Sequence, residues 1–341
     1  MYETRFIARL LLNKYSGDDM GNIREVAKLA GVSVTTASRV FNGHPYVSEE
    51  KVKAVMEAAE KLNYTKNINA VHLSKGRTNS VGIVLPFLHL PYYGEWLHGL
   101  AEEAIKEGIS LQVFQTNYQK KAEIDALQSL KSRQVDGLII VSRINEIEVI
   151  SAFREDGPIV LCEKIEQGFP SVYIDHYQAF QTALETLREK GHQSIGLCIH
   201  RKTGTNSIER IQAYRDSLKK FKMDLNEEWI FTGCYTINDG IRVMNEWEKL
   251  KNRPTALLAT SDQVAAGIVS EAKKAAIDIP GDLAVMSCDN HPISELLDIT
   301  SIHIPVKEMG RRAFKLFIRS LDGEDNVREK LETNIFMRST I

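Results

Sequence analysis

Apolar residues near the N-terminus recur at helical spacing. Asn22 is followed three residues later by Glu25, which is the capping-box pattern, so a first helix is predicted to begin at Ile23. The apolar positions of this helix share one face and are Ile23, Val26, Ala27 and Ala30. Gly31 then interrupts the pattern, and Ser33 is placed to cap a second helix.

The second predicted helix has two faces of different character. One face turns Ala37, Val40 and Phe41 toward a small core. The other face carries polar residues at the same helical spacing: Thr35, Ser38, Arg39 and Asn42. A short exposed helix without acidic residues, close behind another helix, is the helix-turn-helix pattern.

A third helix is predicted after Ser48, which should cap it. Glu49 and Glu50 lie in its first turn, where the helix dipole favours acidic residues. Five apolar residues are expected to complete the core of this head: Val52, Val55, Met56, Ala59 and Leu62.

From residue 80 onward, short apolar runs alternate with helical segments. Nine runs are rich in Val, Ile and Leu, beginning with SVGIVLP and ending with TSIHIP. Continuous apolar strands separated by helices are typical of parallel sheets covered on both faces. Nine or ten strands are many for one such sheet. We therefore predict an α/β body of two doubly wound lobes, with a ligand cleft outside the carboxyl ends of the strands.

Composition excludes several classes of protein. The chain has 341 residues, of which 43% are hydrophobic and 26% charged, so it can bury a full core. No apolar run approaches the roughly 18 residues of a membrane span, and the start lacks the pattern of a signal peptide, so a cytoplasmic protein is expected. The four cysteines are expected to be free buried thiols, and no metal or cofactor is expected.

Charge is uneven along the chain. Residues 21–80 carry nine Lys or Arg against five Asp or Glu, whereas residues 81–341 carry 31 against 37. A basic head on an acidic body suits contact with nucleic acid through the head alone. No nucleophile elbow, dinucleotide fingerprint or phosphate loop occurs, so an enzyme is not expected.

The segments IREVAKLAGVSVTTASRVFNG and VSEEKVKAVMEAAEKLNY closely resemble the DNA-binding head of the lactose-repressor (LacI) family of bacterial transcription regulators. The resemblance implies a helix-turn-helix head, a hinge helix, and a body similar to periplasmic sugar-binding proteins. It also implies a homodimer, expected to be a repressor, that binds a near-palindromic DNA operator under the control of a small effector such as a sugar.

The resemblance to this family allows individual contacts with DNA to be assigned. Val34, Thr35 and Arg39 are expected to reach base edges, since an arginine fork matches guanine O6 and N7. Thr36, Ser38 and Asn42 are expected to contact phosphates. The resemblance implies that Leu73, with Ala70 nearby, wedges into the minor groove from the hinge. The residue pattern alone would favour an ordinary linker residue at position 73. Lys66 and Val71 depart from the family, where proline and arginine are usual.

Domain boundaries follow from the same pattern. Residues 1–19 are interpreted as an extension or a start artefact, and residues 20–65 as the DNA-binding head. Residues 66–79 form the expected hinge and linker, and residues 80–341 the two-lobed body. Crossovers between the lobes are expected near residues 175 and 305.

Six residues are candidates for effector binding. Tyr92 and Tyr93 match an effector-contacting loop of the family, with core packing as the alternative; aromatic rings can stack on a sugar or base. The resemblance also aligns four further residues with cleft positions: Arg210, Tyr235, Ser261 and Asp289.

Neighbouring residues raise further expectations. Asp262 is expected to cap the helix that follows it, and Cys288 and Asn290 depart from the family pattern. Residues 200–202 form a basic corner, for which a solvated loop is favoured over a site for an anionic effector. Two other functions stay open: a sugar-binding module without a DNA role, and an α/β enzyme.

Overall fold

The computed structural model describes residues 22–64, 77–166 and 168–341. The predictions for residues 1–19, Ala70 and Leu73 lie outside these residues. The chain divides into two compact units, Met1–Gly76 and Arg77–Ile341. None of the helices in the described ranges is both long and apolar enough to cross a membrane.

Residues 22–64 of the first unit form three helices: α1 (Ile23–Leu29), α2 (Val34–Phe41) and α3 (Glu49–Lys61). Asn22 and Glu25 form the predicted capping box of α1. The Ser33 hydroxyl accepts a hydrogen bond from the Thr36 backbone N–H at the start of α2. Both α1 and α2 therefore begin at residues that satisfy otherwise unpaired backbone N–H groups.

Two details of the predicted head are wrong. Ser48 occupies the N-cap position of α3, but its side chain makes no capping hydrogen bond. Val52 and Met56 are 38% and 43% exposed, and Ala58 is buried instead. The core-facing stripe of α3 is therefore centred on Val55, Ala58 and Ala59, because small residues allow α3 to approach α1 and α2 closely.

The body contains two six-stranded sheets. The first consists of β1 (Ser80–Leu85), β2 (Ser110–Gln115), β3 (Leu138–Ile140), β4 (Ile159–Leu161), β5 (Ser171–Ile174) and β11 (Arg328–Leu331), in the order β11-β5-β4-β3-β1-β2. All of its strands are parallel.

The second sheet consists of β6 (Ile195–Cys198), β7 (Ile230–Phe231), β8 (Ala256–Ala259), β9 (Ala284–Asp289), β10 (Thr300–His303) and β12 (Asn334–Phe336), in the order β12-β10-β9-β8-β6-β7. The strand β12 is antiparallel to β10, so this sheet is not purely parallel. We call the halves built on these sheets lobe 1 and lobe 2.

In the described residues of the body, nine α-helices accompany the sheets: α4 (Pro91–Glu107), α5 (Lys120–Lys131), α6 (Ile147–Ser151), α7 (His176–Glu189), α8 (Thr205–Lys220), α9 (Ile237–Lys249), α10 (Asp262–Lys274), α11 (Pro292–Leu296) and α12 (Val306–Leu321). The chain passes from lobe 1 to lobe 2 after Ile174, returns to lobe 1 after His303 and enters lobe 2 again after Leu331. The last passage has no counterpart in the sequence prediction.

In each lobe, two helices cross with their backbones in close contact. In lobe 1, α4 crosses α12 at Gly99 and Gly310. An added Cβ at Gly99 would lie 2.0 Å from the Lys307 carbonyl oxygen, and one at Gly310 would lie 2.5 Å from the Trp96 carbonyl oxygen. In lobe 2, α9 crosses α10 at Gly240 and Gly267 in the same manner. Glycine is required at these points because the two backbones touch. The four cysteines are free and buried, as predicted.

Candidate functional site

A cavity of about 440 Å³ lies between the two lobes. Its walls are built from segments that follow the carboxyl ends of strands in both sheets, which is where parallel α/β folds bind ligands. All six residues that the sequence placed at the cleft line this cavity: Tyr92, Tyr93, Arg210, Tyr235, Ser261 and Asp289.

The two tyrosines at the start of α4 both contact the cavity and pack against the core. Tyr93 is 7% exposed, and its hydroxyl lies 3.2 Å from that of Tyr118, which in turn lies 3.2 Å from the Ser142 hydroxyl. Tyr92 packs edge-on against Tyr93. Burial raises the pKa of both phenols, so both remain neutral hydrogen-bonding groups.

Arg210 projects from α8 and is only 7% exposed. Its guanidinium carbon lies 5.3 Å from the ring centroid of Phe180. Its Nε is buried and has no hydrogen-bond partner among the described residues. A buried charged donor without a partner is costly, so this atom is suited to a ligand acceptor.

Asp289 ends β9 with a φ of 110°, a backbone conformation that side chains rarely adopt. Burial raises the pKa of its carboxyl well above the usual value; Asp262 adds to this rise, and Arg210 opposes it. Backbone strain at a cavity wall is typical of functional sites.

The helix-capping role expected of Asp262 belongs to Ser261. Ser261 is the N-cap of α10, and its hydroxyl accepts from the Gln263 N–H at 3.2 Å. The Asp262 carboxylate is buried and accepts from the Ser301 hydroxyl at 2.7 Å, from the Ser287 hydroxyl and from the His291 N–H. The carboxylate thereby ties α10 to β9 and β10, because a buried charge needs several donors.

The basic corner differs from the favoured interpretation as a solvated loop. His200 and Arg201 both line the cavity, and only Lys202 points to solvent. The His200 ring is stacked on Tyr235, and burial lowers the pKa of the imidazole to about 3, with Arg210 and Arg201 contributing. His200 is therefore neutral near pH 7.

Several contacts in the cavity are not marked by any motif in the sequence. Arg143 follows β3 and pairs with Glu163, while its Nη2 donates to the Thr205 hydroxyl of lobe 2 at 3.0 Å. The Arg201 guanidinium lies 3.7 Å above the Tyr118 ring centroid. Lone charged residues after strands occur in any α/β protein, so only the fold could reveal these contacts.

Buried polar atoms without protein partners are concentrated around the cavity. Within the described part of the chain, six of its lining residues carry one: His200, Arg201, Asn206, Arg210, Thr260 and His303. Buried polar groups are normally satisfied. The cavity is thus suited to a small polar ligand with several hydroxyl or acceptor groups.

In the first unit, the polar face of α2 is open to solvent. Val34 is 43% exposed, and Thr35, Arg39 and Asn42 are also exposed. Thr36 and Ser38 are half-buried, and the Thr36 hydroxyl lies 2.9 Å from that of Ser33. Four of the DNA-contacting residues predicted in α2 are thus accessible to a partner.

Comparison with known proteins accounts for both units. The family model of bacterial regulatory proteins of the lacI family matches residues 22–67. The model of periplasmic binding proteins and the sugar-binding domain of the LacI family matches residues 78–339. The chain belongs to the LacI family.

Relatives of this LacI-family chain are regulators as well. The HTH-type transcriptional regulator YkvZ of Bacillus subtilis is 45% identical, over 94% of this chain and the whole relative. The NTD biosynthesis operon regulator NtdR of Bacillus subtilis is 35% identical over the same shares. This LacI-family protein is therefore a transcriptional regulator and not an enzyme.

A solved structure shows the same fold. The lac repressor dimer bound to operator and the anti-inducer ONPF matches with a TM-score of 0.81 at 22% identity, covering 94% of this chain and 98% of that chain. The predicted fold class, a helix-turn-helix head with a two-sheet α/β body, is confirmed.

Proposed function

We propose that this regulator represses transcription as a homodimer that binds a near-palindromic DNA operator and responds to a small polar metabolite in the interlobe cavity. The observation that carries the proposal is the exposed polar face of α2 in a chain of this family. A two-fold symmetric dimer presents two such helices to successive major grooves, so the operator mirrors its symmetry. Acting on chromosomal DNA places the protein in the cytoplasm.

Within this proposal, α2 reads the operator through Val34, Thr35 and Arg39. Thr36, Ser38 and Asn42 hold phosphates, which set the register without reading sequence. Ala70 and Leu73 contact the minor groove from the hinge. Residues 1–19, 20–65, 66–79 and 80–341 are the proposed extension, head, hinge and body, a division supported by family matches to residues 22–67 and 78–339.

The effector is proposed to contact Tyr92, Tyr93, Arg210, Tyr235, Ser261 and Asp289. Support comes from their common position on one cavity and from the partnerless Arg210 Nε. The effector can change operator affinity only by its own differential affinity for the two states, typically about 1–3 kcal/mol. A ligand that bridges both lobes can bias their separation and hence the spacing of the two heads.

Selection of bound sites from random DNA by the full-length chain tests the proposal. A symmetric site, protected on both halves in footprinting and bound by two chains, is the expected result. Metabolites that fit the cavity should then change its affinity for the selected site. Failure to enrich any site, or a site bound by one chain, would contradict the proposal.

A further inference from the structure

Five cations line the interlobe cavity, and they fall into two groups. Arg143 pairs with Glu163, and Lys307 and Arg311 each lie 2.6 Å from a carboxylate oxygen of Glu102. Among the residues that the structure describes, no ion pair includes Arg201 or Arg210. Carboxylates of the protein therefore balance the charges of the three paired cations, whereas the charges of Arg201 and Arg210 have no such partner.

Arg201 is held in a fixed position without being neutralised. Its guanidinium carbon lies over the Tyr118 ring, 3.7 Å from the centroid, and Nη2 donates to the Arg143 carbonyl oxygen at 3.1 Å. Gly204, with a φ of 93°, leaves room for it, since a Cβ there would lie 2.5 Å from Nη2. Its Nη1 is buried without a partner in the described ranges. The local structure thus presents one rigid, unsatisfied cationic donor to the cavity.

Arg210 and His200 extend this basic region. All three residues line the same cavity, and the two arginines add to the effect of burial in lowering the pKa of the His200 imidazole. Each carries a buried nitrogen without a partner in the described chain: Nη1 of Arg201, Nε of Arg210 and Nε2 of His200. Arg210 is buried and Arg201 is half-buried, and a partly desolvated guanidinium group without a counter-charge is unfavourable.

The carboxylates that line the cavity do not supply this counter-charge. Glu163 is occupied by Arg143, and Glu308 lies within ion-pair distance of Arg311 and Arg312. Asp262 accepts donors from Ser287, Ser301 and His291. Glu95 and Asp289 also line the cavity, but neither forms an ion pair with Arg201 or Arg210 in the described structure.

We propose that the effector is an anionic sugar derivative whose phosphate or carboxylate group binds at Arg201, Arg210 and His200 while its hydroxyl groups face Asp289. This inference rests on the proposed function, because it names the ligand class of the same cavity. Guanidinium forks match the oxygens of both anionic groups. A neutral sugar would satisfy the hydrogen-bond donors but would leave the charges of the half-buried Arg201 and the buried Arg210 without a counter-ion.

Calorimetric titration of the full-length protein with matched sugars tests the proposal. D-Glucose, D-galactose, D-fructose and D-ribose are each compared with their phosphate esters and sugar acids, and inorganic phosphate is included alone. At least one anionic sugar should bind about tenfold more tightly than its neutral parent. Comparison of the phosphate esters with the sugar acids identifies which anionic group the protein binds. If no anionic sugar binds more tightly than its parent, the proposal is overturned.

Variants locate the anion site. Arg201→Met should remove most of the preference for the anionic sugar, and Arg201→Lys should keep part of it, because a lysine retains the charge but not the fork. Lys202→Met is the matched control, since Lys202 is exposed and pairs only weakly, at 3.9 Å, with Glu227. Equal effects of Arg201→Met and Lys202→Met on the preference would overturn the assignment.

Operator binding without effector, measured on every variant, confirms that the protein is folded. It also separates the two proposals. A chain that selects a symmetric operator but binds no anionic sugar preferentially would overturn the effector class alone. A chain that selects no operator would overturn the proposed function, whatever it binds in the cavity.

Discussion

The imidazole of His200 lies flat on the phenol ring of Tyr235, with 4.8 Å between ring centroids and 7° between the planes. The stack joins the segment that follows β6 to the segment that follows β7. The ring of Phe87 from lobe 1 meets Tyr235 edge-on at 5.5 Å, so the stack also extends across the cleft. This buried, stacked environment disfavours the charged form of the imidazole.

Acid should destabilise the protein partly through His200. In the unfolded chain the imidazole takes up a proton near its ordinary pKa of 6.5, whereas in the folded chain its pKa is about 3. Between these values the unfolded state binds more protons, so the free energy of unfolding falls as pH drops from about 6.5 toward 3. Denaturant unfolding of the full chain across this range measures the slope.

The matched variant is His200→Phe, which keeps a flat ring on Tyr235 but cannot be protonated. Other buried histidines also contribute to the slope, since burial lowers the pKa of His176 and His303. The variant should therefore lose less stability on acidification than the native chain, without becoming insensitive. Identical slopes for the two proteins would show that His200 is not protonated on unfolding.

The fold class was predictable because its signals are local and repeated. All nine apolar runs form strands. Eight of them lie inside the two sheets, where runs rich in Val, Ile and Leu suit burial on both faces, and the ninth, Ser110–Gln115, lies at an edge. The three strands missing from the prediction lie at sheet edges. Ile230–Phe231 is too short to show a pattern, and Arg328–Leu331 is mostly charged, as edge strands tolerate.

The cavity was predictable only where a motif marked it. Motif matches located Tyr92, Arg210 and Asp289, and all three line the cavity. The buried position of Asp262, which leaves the capping to Ser261, was not predictable, because the donors that hold the aspartate come from residues 25 to 39 positions away. The roles of Arg143 and Tyr118 likewise depend on long-range contacts.

Replacing Arg39 should weaken recognition of one base pair. Arg39 lies exposed on the polar face of α2, where its fork can reach guanine O6 and N7. Arg39→Ala should cost about 1–3 kcal/mol of operator affinity and relax specificity at one position. Affinities for the selected operator and for variants at each position, at fixed salt, measure both effects.

The control is Arg39→Lys, which keeps the positive charge and loses the two-donor fork. It should retain affinity for random DNA but still lose discrimination at the same base pair. Equal losses on operator and random DNA for Arg39→Ala would assign Arg39 to a phosphate contact instead.

The two serine N-caps of the head should differ in their effect on stability. Ser33 accepts a hydrogen bond from the Thr36 N–H, whereas Ser48 makes no side-chain capping bond. Ser33→Ala should destabilise the head by about 1 kcal/mol. Ser48→Ala should have a smaller effect. Amide hydrogen exchange of residues in α1 to α3, measured in the full-length protein, reports on each. Similar losses of protection in both variants would contradict the capping geometry.

The same substitution at two positions of α4 should have opposite effects. At Gly99 an added methyl group would lie 2.0 Å from the Lys307 carbonyl oxygen, so α12 must move away, at a cost of about 1–3 kcal/mol. At Gly94 nothing lies within 4 Å of the position of an added Cβ. Gly94→Ala should therefore stabilise the protein by about 0.5–1 kcal/mol, because alanine loses less backbone entropy in a helix.

Thermal unfolding of the full-length protein compares Gly99→Ala with Gly94→Ala. The gain in helix propensity is nearly equal at the two positions, so the difference between the midpoints isolates the contact between α4 and α12. The midpoint should fall for Gly99→Ala and rise for Gly94→Ala. If both midpoints rise, α12 can shift at little cost, and the crossing at Gly99 and Gly310 does not set the packing of lobe 1.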